Sequence, residues 1–169
     1  MWFDLLNSFR LVQRRIRSEF RKLWKNYIYQ SLLATIALTV VMLVHHMQDI
    51  IVIASMGATA FIIFLMPNSF AAHPRRVIGG HIVGLVSGSI AAFVLQHTAI
   101  SSIIIYAISV GLSAFIMVAL DCEHPPASGT ALGIAITGFS SSVFITVMVS
   151  SVILAISHRL FKRYLIDLT

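Results

Sequence analysis

Asp121-Cys122-Glu123-His124-Pro125-Pro126-Ala127-Ser128-Gly129-Thr130-Ala131-Leu132-Gly133 is where a long apolar segment stops at an acidic, doubly proline-broken turn and restarts on small residues. Pro125 and Pro126 have no backbone N–H, and a proline steers the residue before it, here His124, away from helical geometry. Proline is nonetheless well placed in the first turn of a helix, so a new helix is expected to begin here. Its first free N–H groups belong to Ala127, Ser128 and Gly129, whose small side chains leave the backbone open to a ligand. A helix N-terminus favours negative charge. The stretch therefore reads as a seat for an anion; the plainer alternative is a loop that ends a hydrophobic span beside an interfacial histidine.

The surrounding chain sets the context. Of its 169 residues 58% are hydrophobic and 11% charged, and the mean hydropathy is +0.92, outside the range of a soluble domain. Between Tyr27 and Leu120 the only ionised side chains are Asp49, Arg75 and Arg76, and none lies between His124 and His158. Such runs have no solvated face, which makes this an integral membrane protein. One cysteine, Cys122, excludes an intrachain disulfide. The net charge of +6 comes from basic residues that flank apolar spans, so the partner it implies is anionic lipid rather than nucleic acid.

Residues 1–26 carry seven of the twelve Lys and Arg side chains, with Leu5, Phe9, Val12, Ile16, Phe20, Leu23 and Tyr27 recurring at intervals of three or four. This spacing predicts a basic amphipathic helix lying on a membrane surface. A cleaved signal peptide is the competing reading, and its short basic region and small-residue cleavage site are missing. Residues 27–158 form the membrane domain, and 159–169 a basic tail with Arg159, Lys162 and Arg163.

Six apolar segments fill the membrane domain: 27–44, 50–66, 77–95, 99–120, 127–138 and 141–158. At about 1.5 Å per residue the fifth reaches only about 18 Å, against a hydrocarbon core of about 30 Å. Segments two and five are thus short or broken helices, either spanning or re-entrant. Lys and Arg gather on the cytoplasmic side of a membrane. Six crossings put the basic N-terminus, Arg75 and Arg76, the 121–126 turn and the tail on one side, which favours six crossings with both termini cytoplasmic in a cell inner membrane.

The two short segments resemble each other. Ala54-Ser55-Met56-Gly57-Ala58-Thr59-Ala60 aligns with Pro125-Pro126-Ala127-Ser128-Gly129-Thr130-Ala131 at an offset of 71 residues, which also carries segment one onto segment four. Shortening a loop brings segment three onto segment six. The expected fold is an all-α polytopic bundle of two inverted three-segment repeats, whose interrupted helices aim their N-termini at a common site near the midplane. The alternative is that small residues recur because they let helices pack closely.

A second polar island, Pro67-Asn68-Ser69-Phe70-Ala71-Ala72-His73-Pro74-Arg75-Arg76, leads into Gly79-Gly80-His81. Arg75 and Arg76 offer permanently charged forks for a small oxyanion, or serve as topology anchors in lipid headgroups. His81 lies inside an apolar helix, where a polar side chain has a partner or a purpose. The seven histidines show no i, i+4 pair and no cysteine set, so neither a metal nor another cofactor is expected. No nucleophile-elbow pattern is present, so the chain is not expected to be an enzyme. Asp121 and Glu123 are placed to pair with a nearby Arg or His.

In these residues the sequence resembles the HPP family of small integral membrane proteins, named for the tripeptide His124-Pro125-Pro126. The likeness covers about residues 27–158, including Gly57-Ala58-Thr59-Ala60, the Pro67 to Arg76 island, Gly79-Gly80-His81 and His124 to Ala131. Asp121 and Glu123 are more acidic than the family's pattern before the tripeptide, and Ser128-Gly129 replaces Gly-Ala after it. The family is commonly described with four membrane helices, against six segments here. Members linked to nitrite transport imply a transporter of nitrite or a similar small monovalent anion, and a homo-oligomer is expected beside it. Gly57, Ala58, Thr59, Ala127, Ser128, Gly129 and Thr130 would supply backbone and hydroxyl donors. His124 would orient or gate, and Arg75, Arg76 and His81 would attract or hold the anion. A passive anion channel and a non-transporting module that docks a partner protein are the alternatives.

Overall fold

In the computed structural model the backbone is described for residues 2–45 and 50–168, and the side chains for 18–43 and 52–168. Six α-helices follow one another: α1 (Trp2–His45), α2 (Ile50–Leu65), α3 (Pro74–His97), α4 (Ser102–Ala119), α5 (Pro126–Thr137) and α6 (Ser141–Phe161). Two single 3-10 turns, Phe70–Ala72 and Lys162–Tyr164, complete the secondary structure, with no strand among the described residues. Each of the six expected apolar segments forms one helix.

The helix ends follow from local sequence. Asp121 closes α4 in the left-handed region, at φ 52, a conformation that Asp tolerates better than most residues. Cys122 N–H donates to Met117 O at 2.9 Å and Asp121 N–H to Val118 O at 3.3 Å, the paired bonds of a Schellman cap. Pro74 opens α3 behind an extended His73, and Pro126 opens α5. Gly138, at φ 86, ends α5, and the Ser140 hydroxyl caps α6 by accepting from Val143 N–H at 3.1 Å.

α1 runs without a break across residues 26 and 27, so the expected interfacial helix and the first apolar segment share one helix axis. Within its described part Arg21, Lys22 and Lys25 are exposed while Tyr27 and Gln30 turn inward. Leu5, Phe9, Val12, Ile16 and the four arginines Arg10, Arg14, Arg15 and Arg17, on which the amphipathic reading also rests, lie outside the described side chains. The tail has no boundary at residue 159 either: α6 continues to Phe161, and the segment beyond folds back with Leu165 and Leu168 buried.

Contacts at one end of the bundle fix the direction of every helix. The Gln30 side-chain amide donates to the carbonyls of Phe64 and, at 2.9 Å, Ile166. Leu168 N–H donates to Leu65 O at 2.9 Å, and the His158 ring to Pro67 O at 2.9 Å. Arg75 meets Asp121 at 3.5 Å at the same end. The inner part of α1, the end of α2, the start of α3, the turn that leads into α5, and the ends of α4 and α6 all gather there, so consecutive helices alternate in direction. Four stretches are long and apolar enough to cross a membrane: Ser18–Leu43, Pro74–His97, Ser102–Ala119 and Ser141–Tyr164. Four long helices and two short ones, α2 and α5, reconcile a four-helix description with six segments.

The neighbour relations have the expected internal symmetry. The principal pairs are α1 with α2 and α6; α2 with α5 and α6; α3 with α4, α5 and α6; and α4 with α5. Exchanging α1 with α4, α2 with α5 and α3 with α6 maps this set onto itself. The largest apolar core joins α2 and α6 through Met56, Ile63, Phe64, Val147 and Leu154. Outward faces are also apolar: Ile103, Phe115 and Val118 of α4 are among the most exposed side chains. Water disfavours such a surface and lipid accepts it.

α3 and α5 run parallel, and three glycines set their separation. A Cβ added at Gly84 would stand 2.4 Å from Ala127 O, at Gly88 2.6 Å from Ala131 O, and at Gly80 2.6 Å from His124 Cβ. Gly84→Ala is expected to push the helices apart at a cost of about 1–3 kcal/mol. Gly111→Ala on α4, where a Cβ meets nothing within 4 Å, serves as the comparison. Thermal unfolding of detergent-purified protein should show a lower midpoint for the first and not the second; equal midpoints would contradict the tight α3–α5 contact.

Candidate functional site

Where α5 begins, three helices and a turn bring polar side chains together inside the apolar bundle. Ser55, Thr59, His81, His124 and Thr130 are all buried, the last four at 0% exposure. Thr59 projects from the third turn of α2, His81 from α3 two turns past Pro74, and His124 from the turn before α5. The glycine contacts of α3 allow this depth, because the chain between Cys122 and Ala127 dips against Gly80 and Gly84 instead of staying at the bundle end.

The five side chains form one hydrogen-bonded line. His124 Nδ1 lies 2.8 Å from Ala71 O, and a carbonyl only accepts, so this nitrogen carries the hydrogen. His124 Nε2 lies 2.9 Å from Thr59 Oγ1, which is 3.1 Å from His81 Nε2. On the other side of its ring His81 Nδ1 is 3.0 Å from Thr130 Oγ1. Thr130 Oγ1 lies 2.8 Å from Ser55 Oγ, and Ser55 Oγ lies 2.6 Å from Pro126 O. The two imidazoles stand edge to face with centroids 5.1 Å apart. His81 thus bridges Thr59 and Thr130, the two threonines that coincide under the 71-residue offset.

Not every expected residue joins this line. Ala127 is fully buried at the start of α5, and Gly129 packs on Ser55, where an added Cβ would find Ser55 Cβ at 3.5 Å. Ser128 faces α4 instead, accepting from Ser113 Oγ at 3.1 Å. Gly57 points away toward α1, in a groove of about 370 Å³ that it shares with Leu38 and Phe61. Ala58 is exposed on the outer face of α2. A helical step of about 100° puts neighbouring residues on different faces, so Gly57, Ala58 and Thr59 cannot all address one site.

The expectation that α2 and α5 aim their N-termini at one cavity needs correction. The pairs Ser55 with Pro126 and Thr59 with His124 show the helices packed side by side and antiparallel, with the N-terminus of α2 at the far end of the bundle. At the start of α5 the Ala127 N–H donates to His124 O at 2.9 Å and the Ser128 N–H to Pro125 O at 3.1 Å. These two donors are engaged within the first turn.

Arg75 and Arg76 also stand apart from the histidines. Arg76 pairs with both Asp121 and Glu123, and Arg75 with Asp121 at 3.5 Å. Two arginines thus face two carboxylates at the bundle end, which satisfies the expected pairing of the acidic residues. Burial raises the Cys122 thiol above its ordinary value, with Arg75 and Arg76 opposing and Asp121 adding to the rise. Ser55 and the carbonyls of Ala71 and Pro126 were not expected in the site. The one sequence signal for Ser55 was its alignment with Pro126, the residue it touches.

Apolar helices of spanning length, an apolar outer surface and a buried imidazole pair define a multi-pass helical membrane protein. The family description "HPP, transmembrane region" matches residues 20–166. The chain belongs to the HPP transmembrane family. Two curated relatives are known as transmembrane proteins of Dictyostelium discoideum. One is 35% identical over 98 residues, 55% of this chain and 34% of that protein. The other is 35% identical over 85 residues, 50% of this chain and 27% of that protein. The chain thus spans about a third or less of the length of these relatives. No solved structure matches it.

The two arginines are expected to differ in worth. Arg75 is 66% exposed along its side chain and Arg76 only 21%. Solvent-exposed pairs contribute about 0–1 kcal/mol, so Arg75→Gln should leave the unfolding midpoint nearly unchanged. Arg76→Gln removes the partner of Asp121 and Glu123 together and should cost about 1–2 kcal/mol. Chemical unfolding in mixed micelles distinguishes them, and a larger effect for Arg75 would contradict the pairing described.

Proposed function

We propose that this protein transports nitrite or a similar small monovalent anion across a membrane. The observation that carries the reading is the buried polar line at the broken start of α5. Polar and ionisable groups inside a membrane bundle are expensive, and they mark substrate or ion pathways. A short helix beginning at depth adds electropositive character, as in transporters built from inverted repeats. Family likeness supplies the substrate class. The complete burial of the line favours a gated transporter over an open pore. The start of α5, with Ala127, Gly129 and Thr130, forms one wall of the site, and Thr59, His81 and His124 form the other.

In this reading Arg75 and Arg76 form the entrance. Their pairing with Asp121 and Glu123 leaves little net charge to hold an anion, and makes them a gate or an anchor first. The end that carries Arg75, Arg76, Lys162 and Arg163 is the cytoplasmic one by the distribution of basic residues. The basic part of α1 lies on anionic lipid, and a homo-oligomer covers part of the apolar surface. A cysteine placed at Asn68 should react with a membrane-impermeant maleimide only in opened cells, and one at Thr98 in intact cells. Cys122, buried with a raised thiol, should contribute no background. The reverse pattern would invert the orientation.

Purified protein in liposomes should take up nitrite with saturable kinetics, with nitrate and formate as competitors and chloride as the comparison. Gly129→Ala has room to fold yet sets a methyl group against Ser55 beside the polar line, and is expected to weaken uptake about tenfold or more, as for one lost charged hydrogen bond. His124→Ala should abolish it. Uptake that ignores both substitutions would point to a non-transporting module, and flux that never saturates and follows the potential would point to a channel.

A further inference from the structure

The hydrogens along the buried line can be counted. From Ala71 O through His124, Thr59, His81, Thr130 and Ser55 to Pro126 O there are six contacts, all between 2.6 and 3.1 Å. Each needs one hydrogen. Both ends are carbonyls, which only accept, and two neutral imidazoles with three hydroxyls supply five hydrogens. The Ser55 carbonyl, 3.0 Å from Thr59 Oγ1, competes for the hydroxyl hydrogen of Thr59 and deepens the shortage. While both histidines are neutral, some pair of acceptors along the line faces each other without a hydrogen between them.

One added proton completes the line, and it can sit on either ring. With the charge on His81, both its nitrogens donate, to Thr59 and Thr130, and the Thr59 hydroxyl turns to His124 Nε2. With the charge on His124, its two nitrogens donate to Ala71 O and Thr59, and the Thr59 hydroxyl turns to His81 Nε2. In both cases Thr130 donates to Ser55 and Ser55 to Pro126 O. All six contacts are then satisfied, and rotation of one hydroxyl, Thr59, accompanies movement of the charge between the rings. No bond between heavy atoms changes.

We propose that this line binds one proton, shared between His81 and His124 through Thr59, and that the proton is carried together with the anion. The inference rests on the transport reading above and names its coupling ion. The charged groups around the rings argue for joint carriage. α2 brings only the hydroxyls of Ser55 and Thr59, the 3-10 turn the Ala71 carbonyl, α5 the hydroxyl of Thr130, and α4 the neutral Met117, which lies against Gly80. The carboxylates nearest in sequence, Asp121 and Glu123, are paired with Arg75 and Arg76. The neutral thiol of Cys122 packs on Gly79. An imidazolium here would have no counter-charge in an apolar bundle, and an anion alone would face the same penalty. Together they are neutral, and the anion alone faces the electropositive start of α5, so each makes the other's entry favourable.

The test uses the full chain in liposomes with nitrite as probe, protein-free liposomes as blank, and a dye for internal pH. Coupling of one proton to one anion predicts accumulation that changes about tenfold per unit of imposed pH gradient, since each tenfold ratio corresponds to about 1.4 kcal/mol. Accumulation should ignore a clamped membrane potential, and the interior should acidify with uptake. Thr59→Val, which severs the link between the rings, should lose the response to the gradient, and Thr59→Ser should keep it. Wild-type uptake that follows the potential and ignores the gradient overturns the proton while leaving anion transport intact. Absence of protein-dependent uptake overturns the transport reading instead. Nitrogen NMR of the imidazoles with nitrite present then decides the proton separately: one charge per chain distributed over His81 and His124 between about pH 8 and pH 5 supports it, and two rings neutral throughout overturn it.

Discussion

Everything at the site depends on the closeness of α3 and α5. Gly80, Gly84 and Gly88 lie one helical turn apart and present bare backbone to the stretch from Cys122 to Ile134. In a lipid environment helices gain little from hiding apolar surface against each other, and close packing of small residues is what holds them together. The same closeness lets the turn before α5 descend beside α3, and it brings His124 within ring contact of His81. A Cβ at any of the three glycines would meet an atom at 2.6 Å or less. Packing and site are therefore a single feature.

A polar line at this depth has to find its partners within the protein, because lipid offers none. Hydroxyls and imidazoles suit the task, since each both donates and accepts, whereas a fixed charge would need a fixed partner. The chain separates the two kinds of chemistry along the bundle axis. Arginine and carboxylate meet at the bundle end, where Arg75 and Asp121 remain largely exposed. Groups that change their hydrogen-bonding role lie deeper, between helices.

The helices and their order were legible in the sequence because apolar runs are long and the breaks between them strong: Pro67, Pro74, the Pro125-Pro126 pair and Gly138 each fall at a boundary. That α2 and α5 run in opposite directions was legible in the repeat, though not that they pack side by side, and the pairing of Asp121 and Glu123 was legible in the charge pattern. Facing was not. In an amphipathic helix polarity marks the inward side, but the outer face of α2 is as apolar as its core face, and only Ser55 and Thr59, four residues apart, mark the side that looks toward α5. The carbonyls of Ala71 and Pro126 were out of reach for a deeper reason, since backbone acceptors have no sequence identity. Arg75 and Arg76 looked available for an anion only because sequence does not price the competing carboxylates that the fold brings to them.

The internal symmetry is closed at the level of helix neighbours and broken at the level of side chains. α3 packs on α5 as α6 packs on α2, yet α3 carries the three contact glycines whereas α6 has none and offers Val147, Ser150, Ser151 and Leu154 instead. Val147 and Leu154 pack there with Met56, Ile63 and Phe64 of α2, which makes this contact the apolar core. Bare backbone on α3 offers no such bulk, and beside Gly80 and Gly84 stand side chains that are small or flat: Ala127, Thr130 and the His124 imidazole. His81 can then reach Thr59 and Thr130 from one ring, joining equivalent positions of the two halves. A strictly symmetric chain would place two such polar lines or two such cores side by side; this chain gives the α2–α6 contact the apolar packing and the α3–α5 contact the polar groups.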